Sequence, residues 1–137
     1  MEIPENQKEM YKISNKDLLL IQMLNGMCEA VHKANEKWWM DLESGLPLKR
    51  NVPEMLCLIH SEISEALEGH RKNLKDDKIT WRPMIEVELA DAIIRIFDLC
   101  AGLKLDLGGA FVDKMKFNSI RHDHTHEARR EPNGKKY

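Results

Sequence analysis

Apolar residues recur at steps of three and four over four stretches of the chain, and glycine, proline and charged residues gather between them. That is the helical period, and it predicts an all-α fold. Ser14 to Asp17 has the form of an N-cap with an acidic first turn. Leu20, Leu24, Met27, Val31 and Ala34 follow at helical spacing, so a first helix is expected over about 15–41. LESGLPLKRNVP holds a glycine and two prolines and reads as a loop, with Pro53 in the first turn of a second helix over about 53–72. After the charged connection NLKDDKIT, Thr80 is placed to cap a third helix reaching about Gly102. Asp106 is placed to cap a fourth ending near Arg121, its start weakened by Gly108 and Gly109. From His122 onward no apolar period remains. The expected organisation is one all-α domain, residues 1–121, folded as an antiparallel four-helix bundle, and a polar tail at 122–137.

The stripes on the second and third helices carry the chemistry. Met55, Leu58, Glu62, Glu65 and Gly69 share one face, beside the wholly apolar stripe Leu56, Ile59, Ile63, Ala66 and Leu67, which is expected to face the core. The third helix is apolar over most of its circumference. One stripe is Ile85, Leu89, Ile93, Ile96 and Leu103, and another is Val87, Ala90, Ile94, Phe97 and Ala101. Its single polar line is Met84, Glu88, Asp91, Arg95 and Asp98. Carboxylates three apart repel, and burying them uncompensated is costly. If the two acidic lines face each other, four oxygen donors converge and a hard divalent cation is the natural counter-charge, Mg²⁺ or Mn²⁺ rather than zinc. A single E-x-x-E is more often a solvated face, and Arg95 offers the cluster an internal counter-ion instead. Two such pairs on consecutive helices favour the metal.

Composition narrows the partners. The chain has 137 residues, 21 Lys plus Arg against 23 Asp plus Glu, and a net charge of −2, which gives no sign of a nucleic-acid coat. No stretch approaches a membrane span and MEIPENQKEM does not read as a signal peptide, so a cytoplasmic protein is expected. Cys28, Cys57 and Cys100 are an odd, scattered set among apolar neighbours and read as buried reduced thiols.

The fourth helix carries a line of Leu107, Phe111, Lys114, Asn118 and Arg121, turning from apolar to cationic. Lys114, Asn118 and Arg121 suit the phosphates of a metal-bound nucleotide, although alone they would read as a basic helix end. Trp38 and Trp39 close the first helix, where either could stack on a nucleobase or lid the core, and His32 reads equally as a capped or partly buried histidine or as a further base contact. His122, His124 and His126 alternate in the tail, which reads as a flexible polar segment.

SEISEAL followed by VELADAIIRIFDL resembles the MazG-like all-α nucleoside triphosphate pyrophosphohydrolases, whose signature is E-x-x-E, a spacer, then E-x-x-D. Here these are Glu62 and Glu65, a 22-residue spacer (66–87), then Glu88 and Asp91. Looser likeness runs from about Leu18 to Arg121 and includes the K-x-x-x-N-x-x-R of Lys114, Asn118 and Arg121. The resemblance implies Mg²⁺-dependent cleavage between the α- and β-phosphates of a nucleoside triphosphate, a deoxynucleotide by expectation. The products would be the monophosphate and pyrophosphate. It also implies a homodimer or homotetramer whose association completes the site. Glu62, Glu65, Glu88 and Asp91 would hold the metal, with Glu62 or Glu65 as general base. Small members often carry a proline-containing stretch after the last arginine; this chain has His122 and Asp123. The competing readings are a non-catalytic nucleotide-binding or sensing bundle, and a structural interaction protein whose acids pair with Arg95.

Overall fold

A computed structural model describes residues 2–137. The chain is all-α, with four long helices: α1 (Asn15–Asn35), α2 (Val52–Lys72), α3 (Met84–Gly102) and α4 (Leu107–Ile120). A short α5 (His126–Arg130) follows, and three 3₁₀ turns lie at Glu5–Gln7, Glu36–Trp39 and His122–His124. Among the described residues there is no strand, and no helix is long and apolar enough to cross a membrane.

The chain divides into two compact units, one of residues up to Asn25 with Asp106–Tyr137, the other Gly26–Leu105. In the first, Ser14 and Asp17 form a reciprocal cap. The Ser14 amide donates to Asp17 Oδ2 at 2.9 Å, and the Asp17 amide to Ser14 Oγ at 3.2 Å. Those bonds, with Lys116 at 3.0 Å, hold the Asp17 carboxyl down to about 2. Asp106 caps α4 by accepting from the Gly109 amide, and Asn25 ties α1 to that turn by donating to Asp106 and accepting from the Gly108 amide. The polar tail is not wholly irregular. Thr125 Oγ1 accepts from the Ala128 amide and caps α5.

In the second unit α2 and α3 pack on each other more extensively than any other pair of helices. Gly69, late in α2, lies against Met84, the first residue of α3, while Glu62, two turns earlier, reaches Arg95. Contacts that run backwards along the sequence make the pair antiparallel. A Cβ on Gly69 would stand 2.9 Å from Met84 Cβ and Cγ, so the close approach requires glycine. Asn51 caps α2 by accepting from the Glu54 amide at 3.2 Å, and Asn73, left-handed at φ 50°, ends it.

Three expectations about local structure change. Helix α1 ends at Asn35, and the chain tightens into the 3₁₀ turn that was expected to be helical through 41. The cause is tertiary: Trp39 Nε1 donates to Asp98 Oδ1 at 2.9 Å. Helix α3 starts at Met84, and Thr80 does not cap it. Residues 76–82 are instead wound around Asp76, whose Oδ1 accepts from the amides of Lys78 and Ile79. Of the three free cysteines, Cys28 and Cys100 are buried but Cys57 is exposed, because it lies on the outer side of α2.

The largest change concerns which stripes are buried. On α2 the mixed stripe packs inward, with Met55, Glu62 and Gly69 all buried, whereas Leu56, Ile63 and Leu67 of the all-apolar stripe are 47%, 49% and 58% exposed. On α3 Glu88 and Asp98 of the polar line are buried while Leu89 and Ile93 are exposed. Glu62 and Glu88 thus lie between the two helices while Glu65 and Asp91 stay exposed, and of the apolar rows Ala66 and Phe97 are buried whereas the larger Leu56, Ile63, Leu67, Leu89 and Ile93 face away.

Candidate metal centre

Antiparallel pairing brings the E-x-x-E of α2 against the E-x-x-D of α3. One carboxylate oxygen from each of Glu62, Glu65 and Glu88 lies within 4.8 Å of the other two. Glu62 and Glu88 are each 7% exposed, and Glu65 opens to solvent. The electrostatics follow from this crowding. Burial, then the charge of Glu65, then a hydrogen bond and charge from Glu62 and the charge of Asp91 push the Glu88 carboxyl up from 4.5 to about 7.

Asp91 does not join this group of three. It stands one turn along α3, where partial loss of solvent and then the charge of Glu62 raise its carboxyl, with Arg95 working against both. Arg95 Nε donates to Glu62 Oε1 at 2.5 Å from a side chain 42% exposed. The cluster therefore holds one internal counter-ion for at least three acids. All donors are oxygens, a set that fits a hard divalent ion.

Beside the cluster lies a cavity of about 450 Å³. Asp91 and Arg95 line it on the acidic side. Asn35, Trp38, Arg50 and Asp98 supply its other polar and aromatic lining. Asp98 is 8% exposed, and its Oδ1 receives two donors, Trp39 Nε1 at 2.9 Å and His32 Nδ1 at 2.7 Å. With the carboxylate as acceptor, the His32 tautomer that completes this bond is the one with its proton on Nδ1. The His32 and Trp39 rings meet edge to face, centroids 5.0 Å apart.

No protein-family model matches the chain, and no similar curated protein or solved structure was found.

The expected base contacts therefore divide. Trp38 lines the cavity and is 60% exposed, whereas His32 and Trp39 spend their ring N–H groups on Asp98 and are not among its lining residues. Asn35, Arg50 and Asp98 were not singled out from sequence. Asp98 had a signal, as the last member of the one polar line on an apolar helix. Asn35 and Arg50 had none, since a helix-end amide and a loop arginine are commonplace.

Lys114, Asn118 and Arg121 belong to the other unit. Lys114 Nζ lies 4.9 Å from the Phe117 ring centroid, and Asn118 Oδ1 is buried with no hydrogen-bond partner among the described residues. Arg121 forms a two-bond fork with Asp123, at 2.9 and 2.6 Å, which accounts for the unexpected acid after the last arginine.

Proposed function

We propose that the chain is a Mg²⁺-dependent nucleoside triphosphate pyrophosphohydrolase of the MazG-like kind, releasing pyrophosphate and a nucleoside monophosphate. The observation that carries this reading is the convergence of Glu62, Glu65 and Glu88 between α2 and α3, next to a cavity of nucleotide scale. Glu62, Glu65 and Glu88 would hold the ion, with Asp91 at the edge toward the cavity. Bound there, a divalent ion would screen phosphate charge and lower the pKa of a coordinated water.

The residues divide the remaining work. Glu65, which opens to solvent and forms no salt bridge among the described residues, is the better placed general base of the first pair where it is not taken up by the ion, because Glu62 is held by Arg95. The exposed rows Leu56, Ile63, Leu67, Leu89 and Ile93 support a homodimer or homotetramer, and three free thiols fit a reducing compartment.

The test is a screen of canonical and modified ribo- and deoxynucleoside triphosphates for pyrophosphate release with Mg²⁺ and Mn²⁺. Turnover abolished by Glu88→Gln supports the proposal. No turnover with any substrate and either metal sinks it. The Arg95–Glu62 ion pair favours a second reading, a non-catalytic bundle whose acids are neutralised internally. That reading expects no thermal stabilisation by Mg²⁺ and no pyrophosphate release; stabilisation by nucleotide without turnover would mark a sensing protein.

A further inference from the structure

Asp98 has an accepting oxygen left over. Trp39 and His32 both donate to Oδ1, and among the described residues none donates to Oδ2. Asp98 is 8% exposed and is one of the residues that line the cavity. A carboxylate oxygen in that position calls for an N–H donor from whatever enters, and it repels a carbonyl oxygen brought to the same place. Asn35, on the same cavity, adds an amide that can donate beside it.

We propose that the cavity receives a nucleobase carrying an exocyclic amino group next to a ring-nitrogen acceptor, the pattern of cytosine and adenine, and that Asp98 selects it. Uracil and thymine present a carbonyl there and are disfavoured. The inference rests on the nucleotide reading for its orientation. Asp91, Arg95 and Asp98 stand at i, i+4 and i+7 on one face of α3, so the acidic end and the selecting carboxylate are separated by about 10 Å of helix, on the scale of a nucleoside. Trp38 offers the aromatic wall, and its main chain is anchored by the Arg50 guanidinium, which donates to the Trp38 carbonyl.

The probes are the α,β-imido analogues of dCTP and dUTP, which differ in the 4-substituent of the base and are not cleaved between the α- and β-phosphates. Their affinities for the full chain are measured calorimetrically in Mg²⁺. The dCTP analogue should bind about tenfold tighter or more, the consequence of one good hydrogen bond against one unpaired acceptor. In Asp98→Asn the Oδ1 position remains committed to Trp39 and His32, so the amide nitrogen turns to the cavity and the preference should vanish or invert. Trp38→Ala should weaken both analogues and leave their ratio unchanged. Equal binding of the two analogues to the wild-type chain overturns the proposal, whether or not the variant folds, as does an unchanged ratio in a folded Asp98→Asn. Preference for the dCTP analogue without pyrophosphate release from dCTP keeps this inference and sinks the hydrolase. Binding of neither analogue sinks both.

Discussion

Raising the pH of the metal-free protein should destabilise it through a window set mainly by Glu88, to which the raised Asp91 carboxyl adds with the same sign. The Glu88 carboxyl is pushed from 4.5 to about 7, first by burial and then by Glu65, Glu62 and Asp91. The folded chain therefore holds this proton more tightly than the unfolded chain. The stabilisation is complete below about 4.5, declines as pH rises, and is lost above about 7. At 1.36 kcal/mol per pH unit the loss is on the order of 3 kcal/mol, or roughly 10 °C in Tm for a chain of this size. The lowered carboxyls of Asp17, Asp41, Asp76, Asp106 and Asp123 act with the opposite sign and below the Glu88 window, since each loses its contribution only as pH falls through its folded value. Thermal unfolding followed by circular dichroism in EDTA, from pH 5 to 8, reads the effect. Mg²⁺ should restore the lost stability at the alkaline end, because the ion replaces the proton. Glu88→Gln should flatten the slope and abolish the response to Mg²⁺. The reasoning fails if Glu88→Gln keeps the wild-type pH slope, or if Mg²⁺ leaves Tm unmoved at pH 8.

Three further perturbations separate the parts of the argument. Arg95→Met frees Glu62 from its half-exposed partner and should tighten Mn²⁺ binding by about fivefold, read by calorimetry without nucleotide; unchanged or weaker binding would show that Arg95 does not compete with the ion. Asn51→Ala removes the cap of α2 and should cost about 1 kcal/mol in urea unfolding, a value near zero meaning that the helix start is held by other contacts. Gly102→Ala would place a Cβ 2.2 Å from the Trp39 ring. It should cost roughly 1–3 kcal/mol and change the near-ultraviolet circular dichroism, and a wild-type spectrum would refute the tight packing.

The helices were legible because their periods are long and their ends carry chemistry that acts locally: Ser14 with Asp17, Asn51 with Pro53, Asp106 with Gly109. The clustering of Glu62, Glu65 and Glu88 was legible for a similar reason, since α3 has one polar line and α2 a stripe that turns acidic, whereas Asp91 stands outside the group. What escaped depended on contacts distant in sequence. The 3₁₀ turn at Glu36–Trp39 is tied to Asp98, 59 residues away from Trp39, and no local pattern announces such a bond. That bond and the one from His32 engage both rings with Asp98, which lines the cavity while Trp39 and His32 do not.

The misjudged stripe on α2 has a physical lesson of its own. An apolar row shows that a face must leave water, but not which partner covers it. Helix α2 turns Met55, Glu62 and Gly69 toward α3 because Gly69 permits close approach to Met84 and Arg95 meets Glu62. Leu56, Ile63 and Leu67, with Leu89 and Ile93 on α3, are left roughly half exposed. Covering what remains of five such side chains is worth about 1 kcal/mol each, on the order of 5 kcal/mol per chain, comparable to the net stability of a small domain. A single copy forgoes that amount, and the self-association proposed above would recover it. The acids and the apolar rows are then two consequences of one choice of face. Pairing α2 with α3 through the polar lines builds the acidic cluster, and the rows thereby turned outward would supply the drive for the proposed association.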